Sequence, residues 1–383
     1  MTKSEQRIKD VHNFLENNDL VLGYRKLMDC AMDTQNMTIY KAVIELTDWK
    51  EKHPDDNKGL ISRSKSILEQ ISKFPIDEYA NDSSVVVGKN LIKSYGKNRF
   101  ALGPVSIGIK KGQVYGLVGE NGNGKTTLLR LLAKELRLNQ GTLDYNLDSE
   151  INNEYDLRTR LVYIPQRTKK WYGSLKDNLK FVLSNYGISP EENETRVLMM
   201  IARLGLWNYK HLKWRELSSG YKMRFELART LLRQPEILLL DEPLANLDVL
   251  AQQVILEDLK SICNSLNNPI ALILSSQQLY EVEKVSDKVI FLKNGKYTDN
   301  SENTDETSNS LIIEIETNSE RDALKTSLAH LNLEKLVFNG GIYIAYFNSE
   351  TTFASVLEVL GKSNIEVVYT RNISKSTRRF FVS

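Results

Sequence analysis

Gly119-Glu120-Asn121-Gly122-Asn123-Gly124-Lys125-Thr126 fills every defined position of the pattern G-x-x-x-x-G-K-[ST]. The stretch before it, Val114–Val118, reads as a strand, and Thr126–Leu136 reads as a largely apolar helix. A glycine-rich turn between a strand and a helix brings backbone N–H groups together on phosphate oxygens, and the helix N-terminus adds favourable partial charge. In such a loop Lys125 reaches the β- and γ-phosphates, and the Thr126 hydroxyl ligates Mg²⁺. A strand, phosphate loop and helix in sequence predict an α/β domain built on a mainly parallel sheet.

Downstream, Ile237-Leu238-Leu239-Leu240-Asp241-Glu242-Pro243 is an apolar run that ends in two carboxylates. Parallel sheets place their ligand-binding groups at this end of the strand. Asp241 is suited to hold Mg²⁺ through its water shell, and Glu242 to polarise an attacking water. By itself such a run is an ordinary strand end. Together with the phosphate loop it predicts nucleotide hydrolysis.

Between these two elements lies Leu217-Ser218-Ser219-Gly220-Tyr221, followed by the helical pattern Lys222–Leu232. The phosphate loop, this segment and the acidic strand end, in this order, resemble the nucleotide-binding domain of ABC (ATP-binding cassette) ATPases, whose signature is usually LSGGQ. The resemblance spans about residues 84–297. It implies a P-loop NTPase fold with a helical subdomain, ATP and Mg²⁺ as cofactors, and ATP hydrolysis coupled to transport. It also implies roles for further residues: Tyr95 stacks on adenine, Gln166 is the Q-loop glutamine that touches Mg²⁺, and Asn246-Leu247-Asp248 is the D-loop. Gln277, in Ser275-Ser276-Gln277, stands where the family has its switch histidine. The expected nucleotide-binding set is thus Tyr95, Gly119 to Gly124, Lys125, Thr126, Thr127, Gln166, Ser218, Ser219 and Gly220. Thr126, Gln166 and Asp241 serve the metal, and Glu242 and Gln277 the chemistry.

Three positions depart from the family pattern. Ser219 replaces the first signature glycine, Tyr221 replaces its glutamine, and Gln277 replaces the histidine. An amide can donate a hydrogen bond to a γ-phosphate, but it cannot titrate. The resemblance therefore implies an active but slow ATPase.

The chain has 383 residues, enough for two or three domains. Lys+Arg 51 against Asp+Glu 49 gives a net charge of +2, which argues against a protein whose main partner is nucleic acid. No run approaches the ~20 consecutive apolar residues that a membrane span needs. The N-terminus MTKSEQRIKD lacks the apolar core of a secretory signal. With two cysteines, Cys30 and Cys263, far apart, neither a disulfide framework nor a cysteine zinc site is expected.

Residues 1–80 show helical spacing: Ile8, Val11 and Leu15, then Tyr24, Leu27, Met28 and Ala31, then Ile39, Val43 and Leu46, then Ile67, Leu68 and Ile71. They predict an N-terminal all-α module that resembles no family. The polar stretch 298–310 reads as a linker. Residues 311–383 follow the order βαββαβ of a ferredoxin-like domain, and resemble the accessory domain of some bacterial exporter-type cassettes.

A cassette without a membrane span implies a separate multi-span membrane subunit, and a location on the cytoplasmic face of the inner membrane. One cassette per chain implies pairing with a second one, as a homodimer, because each ATP lies between one phosphate loop and the opposite signature. Trp171 and Tyr172, beyond the Q-loop, are candidate contacts with the membrane subunit. The competing reading is a non-transport ABC ATPase acting as a slow regulatory or assembly switch through its N-terminal helices.

Overall fold

The computed structural model describes residues 2–96, 100–148, 150–277, 282–298, 311–339 and 341–374. These residues fall into two compact units. One runs to Lys288 and includes Leu292–Tyr297, and the other comprises Val289–Phe291 and the chain from Thr298 onward. Most of the expected linker, residues 299–310, and Gly340 lie outside the described residues.

The first unit opens with α1 (Lys3–Glu16), α2 (Leu20–Asp33), α3 (Met37–Lys52) and α4 (Asn57–Ile71). A side-chain oxygen starts each helix: Thr2, Asp19, Asn36 and Asp56 accept first-turn N–H groups that have no intrahelical partner. Thr2 and Glu5 complete a reciprocal capping box. The apolar stripes face inward, with Leu27, Val43, Leu68 and Ile71 fully buried. Each buried aliphatic side chain of this kind contributes roughly 1.5–3 kcal/mol.

The nucleotide-binding part combines two sheets. β1 (Ser84–Ser94), β2 (Ala101–Lys110) and β4 (Gln140–Tyr145) form an antiparallel sheet in the order β2-β1-β4. β3 (Val114–Val118), β5 (Leu161–Ile164), β6 (Ile237–Leu240) and β7 (Ala271–Ser276) are parallel neighbours in the order β5-β6-β7-β3. All residues of β3, β6 and β7 are buried. This is why their sequences are continuous apolar runs and not alternating ones. α5 (Lys125–Leu132) follows β3, and α6 (Glu154–Arg160) precedes β5. α7 (Leu175–Ser184), α8 (Pro190–Arg203) and α9 (Ser219–Leu231) form a helical insertion between β5 and β6. α10 (Val249–Cys263) joins β6 to β7, and the strands β8 (Lys288–Lys293) and β9 (Lys296–Thr298) follow.

In the second unit, β10 (Leu311–Thr317), α11 (Arg321–Leu328), β11 (Leu333–Asn339), β12 (Ile342–Phe347), α12 (Phe353–Lys362) and β13 (Val367–Asn372) follow in the order βαββαβ. The sheet order is β11-β12-β10-β13, with antiparallel neighbours throughout, which is the ferredoxin-like arrangement. Ile313, Ile315, Ala345 and Phe347 of the sheet pack on Leu324 and Leu328 of α11 and on Val356 and Leu360 of α12.

Candidate active site

Because β5, β6, β7 and β3 are parallel neighbours, their C-terminal ends share one edge, and each delivers part of the site there. β3 leads into the Gly119–Gly124 loop. Gly124, at φ +101°, starts α5 without a side-chain cap, so the first-turn N–H groups stay available to a ligand. A Cβ at Gly124 would lie 2.8 Å from Phe100 Cζ, so the position is closed to larger residues by space as well as by dihedral angle. Lys125 is 5% exposed. Its Nζ donates to the carbonyls of Gly119 (2.7 Å) and Glu120 (3.3 Å), and stands 3.5 Å from Glu242 Oε1.

β6 ends in Asp241, which is buried and accepts three hydroxyls: Thr126 Oγ1 at 2.8 Å, Ser275 Oγ at 2.8 Å and Tyr163 OH at 3.1 Å. Burial and the adjacent Asp241 carboxylate push the Tyr163 hydroxyl well above the usual tyrosine range, so it remains a donor. Ser275 also accepts the Glu242 N–H at 2.8 Å. That bond holds Glu242 at φ +47°, in the left-handed region, a conformation that costs a non-glycine residue about 1–3 kcal/mol.

The Glu242 carboxylate is ringed by donors. Gln166, just beyond β5, donates Nε2–H to Oε2 at 2.9 Å. Gln277, just beyond β7, donates from Nε2 to Oε1 at 2.9 Å and to Oε2 at 2.8 Å. Thus Lys125, Thr126, Gln166, Asp241, Glu242 and Gln277, spread over 153 positions of sequence from 125 to 277, form one polar cluster, in which Ser275 bridges Asp241 to Glu242 and Lys125 enters by an ion pair. Tyr95 joins its margin: the ring is 44% exposed, and its hydroxyl lies 3.5 Å from Thr127 Oγ1.

Ser218, Ser219 and Gly220 are placed elsewhere in the fold. Ser218 caps α9 by accepting the Tyr221 N–H, and Ser219 Oγ donates to the Asn246 carbonyl at 3.1 Å. A Cβ at Gly220 would lie 3.3 Å from Ala251 Cβ. The signature segment therefore abuts the loop Asn246–Asp248. Tyr221 lies against the ring of Tyr209, at 3.9 Å between centroids. Trp171 is engaged within the domain: its Nε1 donates to Glu226 at 3.0 Å, and the Arg229 guanidinium lies 4.7 Å from its ring. Tyr172 is 91% exposed.

The donor set suits a hard cation. The Thr126 hydroxyl and the Asp241 carboxylate touch, and no cluster of three or more His, Cys, Asp or Glu exists among the described residues. Thr126 and Asp241, with Gln166 at the same sheet edge, would hold Mg²⁺ together with water and phosphate oxygens. Sequence reasoning did not single out Tyr163 or the two bonds of Ser275. Their signal is strand register: Leu240 is opposite Leu274, so Ser275 comes level with Asp241, and Tyr163, opposite Leu239 on the other side of β6, reaches the same carboxylate with its long side chain.

A family model for ABC transporters matches residues 102–245. The lantibiotic transport ATP-binding protein SrtF of Streptococcus pyogenes is 32% identical over 231 residues, covering 59% of this chain and 96% of that protein. The phosphonates import ATP-binding protein PhnC of Treponema denticola is 27% identical over 222 residues, 54% of this chain and 86% of the relative. Among solved structures, cbiO1 of Clostridium perfringens, part of the ABC transporter complex cbiONQ, is 25% identical with a TM-score of 0.52, over 57% of this chain and 88% of that one.

Proposed function

The chain belongs to the ABC transporter family of ATP-binding proteins, and from that premise we propose how its own residues bind and hydrolyse ATP and what they work with. The observation that carries the reading is the bond between the phosphate loop and the acidic strand end, Thr126 Oγ1 to Asp241 Oδ2. In this reading Lys125 and the loop N–H groups hold the phosphates. Thr126, Asp241 and Gln166 face Mg²⁺, which neutralises phosphate charge when bound. Tyr95 supports the adenine, with Thr127 beside it. Glu242 orients water and accepts its proton, and Gln277 and Gln166 hold the carboxylate in place for that task.

We place the signature residues Ser218, Ser219 and Gly220 against the ATP of a second cassette, in a homodimer. Support comes from the N-terminus of α9 and the loop Asn246–Asp248, which form one continuous edge. The work of the cycle is passed to a separate multi-span membrane subunit. No helix among the described residues is long and apolar enough to cross a membrane. Tyr172 is offered as a contact with that subunit, and Trp171 as its internal support. We propose a location on the cytoplasmic face of the membrane, and export as the direction, the latter from the likeness of the C-terminal βαββαβ unit to exporter-type accessory domains.

Pairing gives the direct test. The Glu242→Gln variant is expected to double its mass in light scattering with saturating Mg·ATP, and to return to a monomer with ADP. A mass that stays monomeric in Mg·ATP rejects the homodimer.

A further inference from the structure

The N-terminal helices are fastened to the nucleotide-binding part by buried charge. α2 lies beside α10 and runs in the same direction: Arg25 pairs with Glu257 and Asp258, Asp29 accepts from Ser261, and Asp33 accepts from Ser265 and the Leu266 N–H. A third element enters this seam. Arg203, the last residue of α8, donates Nε–H to Asp29 at 2.5 Å and Nη1–H to Asp258 at 2.6 Å, and its side chain is 1% exposed. Burial opposes both charges, yet the two carboxylates raise the Arg203 pKa further, and Arg203 and Lys26 hold Asp29 below the usual carboxylate range. The guanidinium fork thus reads one carboxylate from α2 and one from α10, and neither lysine nor a neutral side chain could replace it there.

This matters because α10 also contacts the signature segment at the start of α9. Ser219, at the start of α9, donates to Asn246 in the loop that leads into α10, and Gly220 lies against Ala251 in the first turn of α10. α8 and α9 both pack on α7, and this helical group therefore meets α10 at the signature end and at the Arg203 end. One point of contact permits pivoting, and two fix an orientation. Asp29 secures the second.

We propose that Asp29, with Arg25, is a positioning residue for the signature: α2 braces Arg203 against α10 and thereby fixes Ser218–Gly220 relative to Asn246–Asp248. Its consequence for pairing rests on the ATP-sandwich reading above. Asp33 supplies the control. It is at least as deeply buried and ties α2 to Arg7, Ser265 and Leu266, but among the described residues it makes no hydrogen bond or ion pair with α8.

Two measurements on the full chain separate the brace from the pairing. In nucleotide-free protein, hydrogen exchange at the N-terminal amides of α9 should speed up about tenfold or more in Asp29→Asn, and stay at the parental rate in Asp33→Asn. In the Glu242→Gln background, Asp29→Asn should raise the protein concentration for half-dimerisation in Mg·ATP by about tenfold or more, with ADP affinity unchanged, while Asp33→Asn changes it by less than about twofold. Unchanged exchange at α9 in Asp29→Asn, or equal effects of the two substitutions, overturns the brace. A parental Glu242→Gln chain that never dimerises overturns the pairing alone, since the exchange measurement stands without it.

Discussion

Glu242→Gln is expected to lower steady-state ATP turnover by about 10³-fold while leaving Mg·ATP binding within a few-fold of the parent. The carboxylate has no direct bond to the phosphate loop beyond the 3.5 Å approach of Lys125, so the groups that hold phosphate survive the change. The ability to accept a proton does not survive. An amide at 242 also meets the wrong partners, because Gln166 and Gln277 both present N–H groups to this position, and only the new oxygen can accept them. Lys125→Ala supplies the contrasting arm. It removes the buried ammonium between the Gly119 and Glu120 carbonyls and Glu242, and should weaken nucleotide binding itself. Fluorescent-nucleotide titration together with phosphate release separates the two outcomes. Turnover in Glu242→Gln equal to the parent would remove Glu242 from the chemistry.

The parts of this fold that could be read from the chain are those in which one residue type answers one physical demand. Ile237–Leu240 is buried on both faces and therefore uniformly apolar, and Gly124 must accept φ +101°. The edge of the sheet was legible for the same reason, since an apolar strand ending in Asp241-Glu242 can present those carboxylates only at its C-terminal end. Tyr163 and Ser275 were harder. Nothing local marks either as a partner of Asp241, because the contact is created by the lateral order β5-β6-β7, and strand order is a property of tertiary packing. The seam of α2 and α10 was opaque for a related reason. Asp29, Arg203 and Asp258 lie in three separate helical patterns, and each reads alone as an ordinary charge on a solvated face. The partners of Trp171 were opaque in the same way: its place beyond the Q-loop makes it a candidate contact, and nothing local shows that Glu226 and Arg229 of α9 also hold it.

Gln277→His should raise kcat by on the order of 10²-fold with little change in KM. The Gln277 Nε2 group spends its hydrogen bonds on both oxygens of Glu242, and it is neutral. It therefore holds the carboxylate without contributing charge where charge develops. A histidine at this position can donate one strong hydrogen bond, and as imidazolium it offsets the negative charge that builds on the transferring phosphoryl group in the transition state. That gain is absent from the ground state, so it belongs in kcat and not in KM. The two jobs of the residue, holding Glu242 and donating toward the reaction, are separated by Gln277→Ala. If holding matters, the alanine variant loses turnover, because Gln166 is then the remaining amide that directs Glu242. If the histidine variant is no faster than the parent while the alanine variant is slower, the site has been built around the glutamine, and slow turnover does not originate at position 277. If the alanine variant matches the parent, the two bonds from Gln277 do not position the base, and the strained backbone at Glu242, fixed by Ser275, is sufficient to aim it.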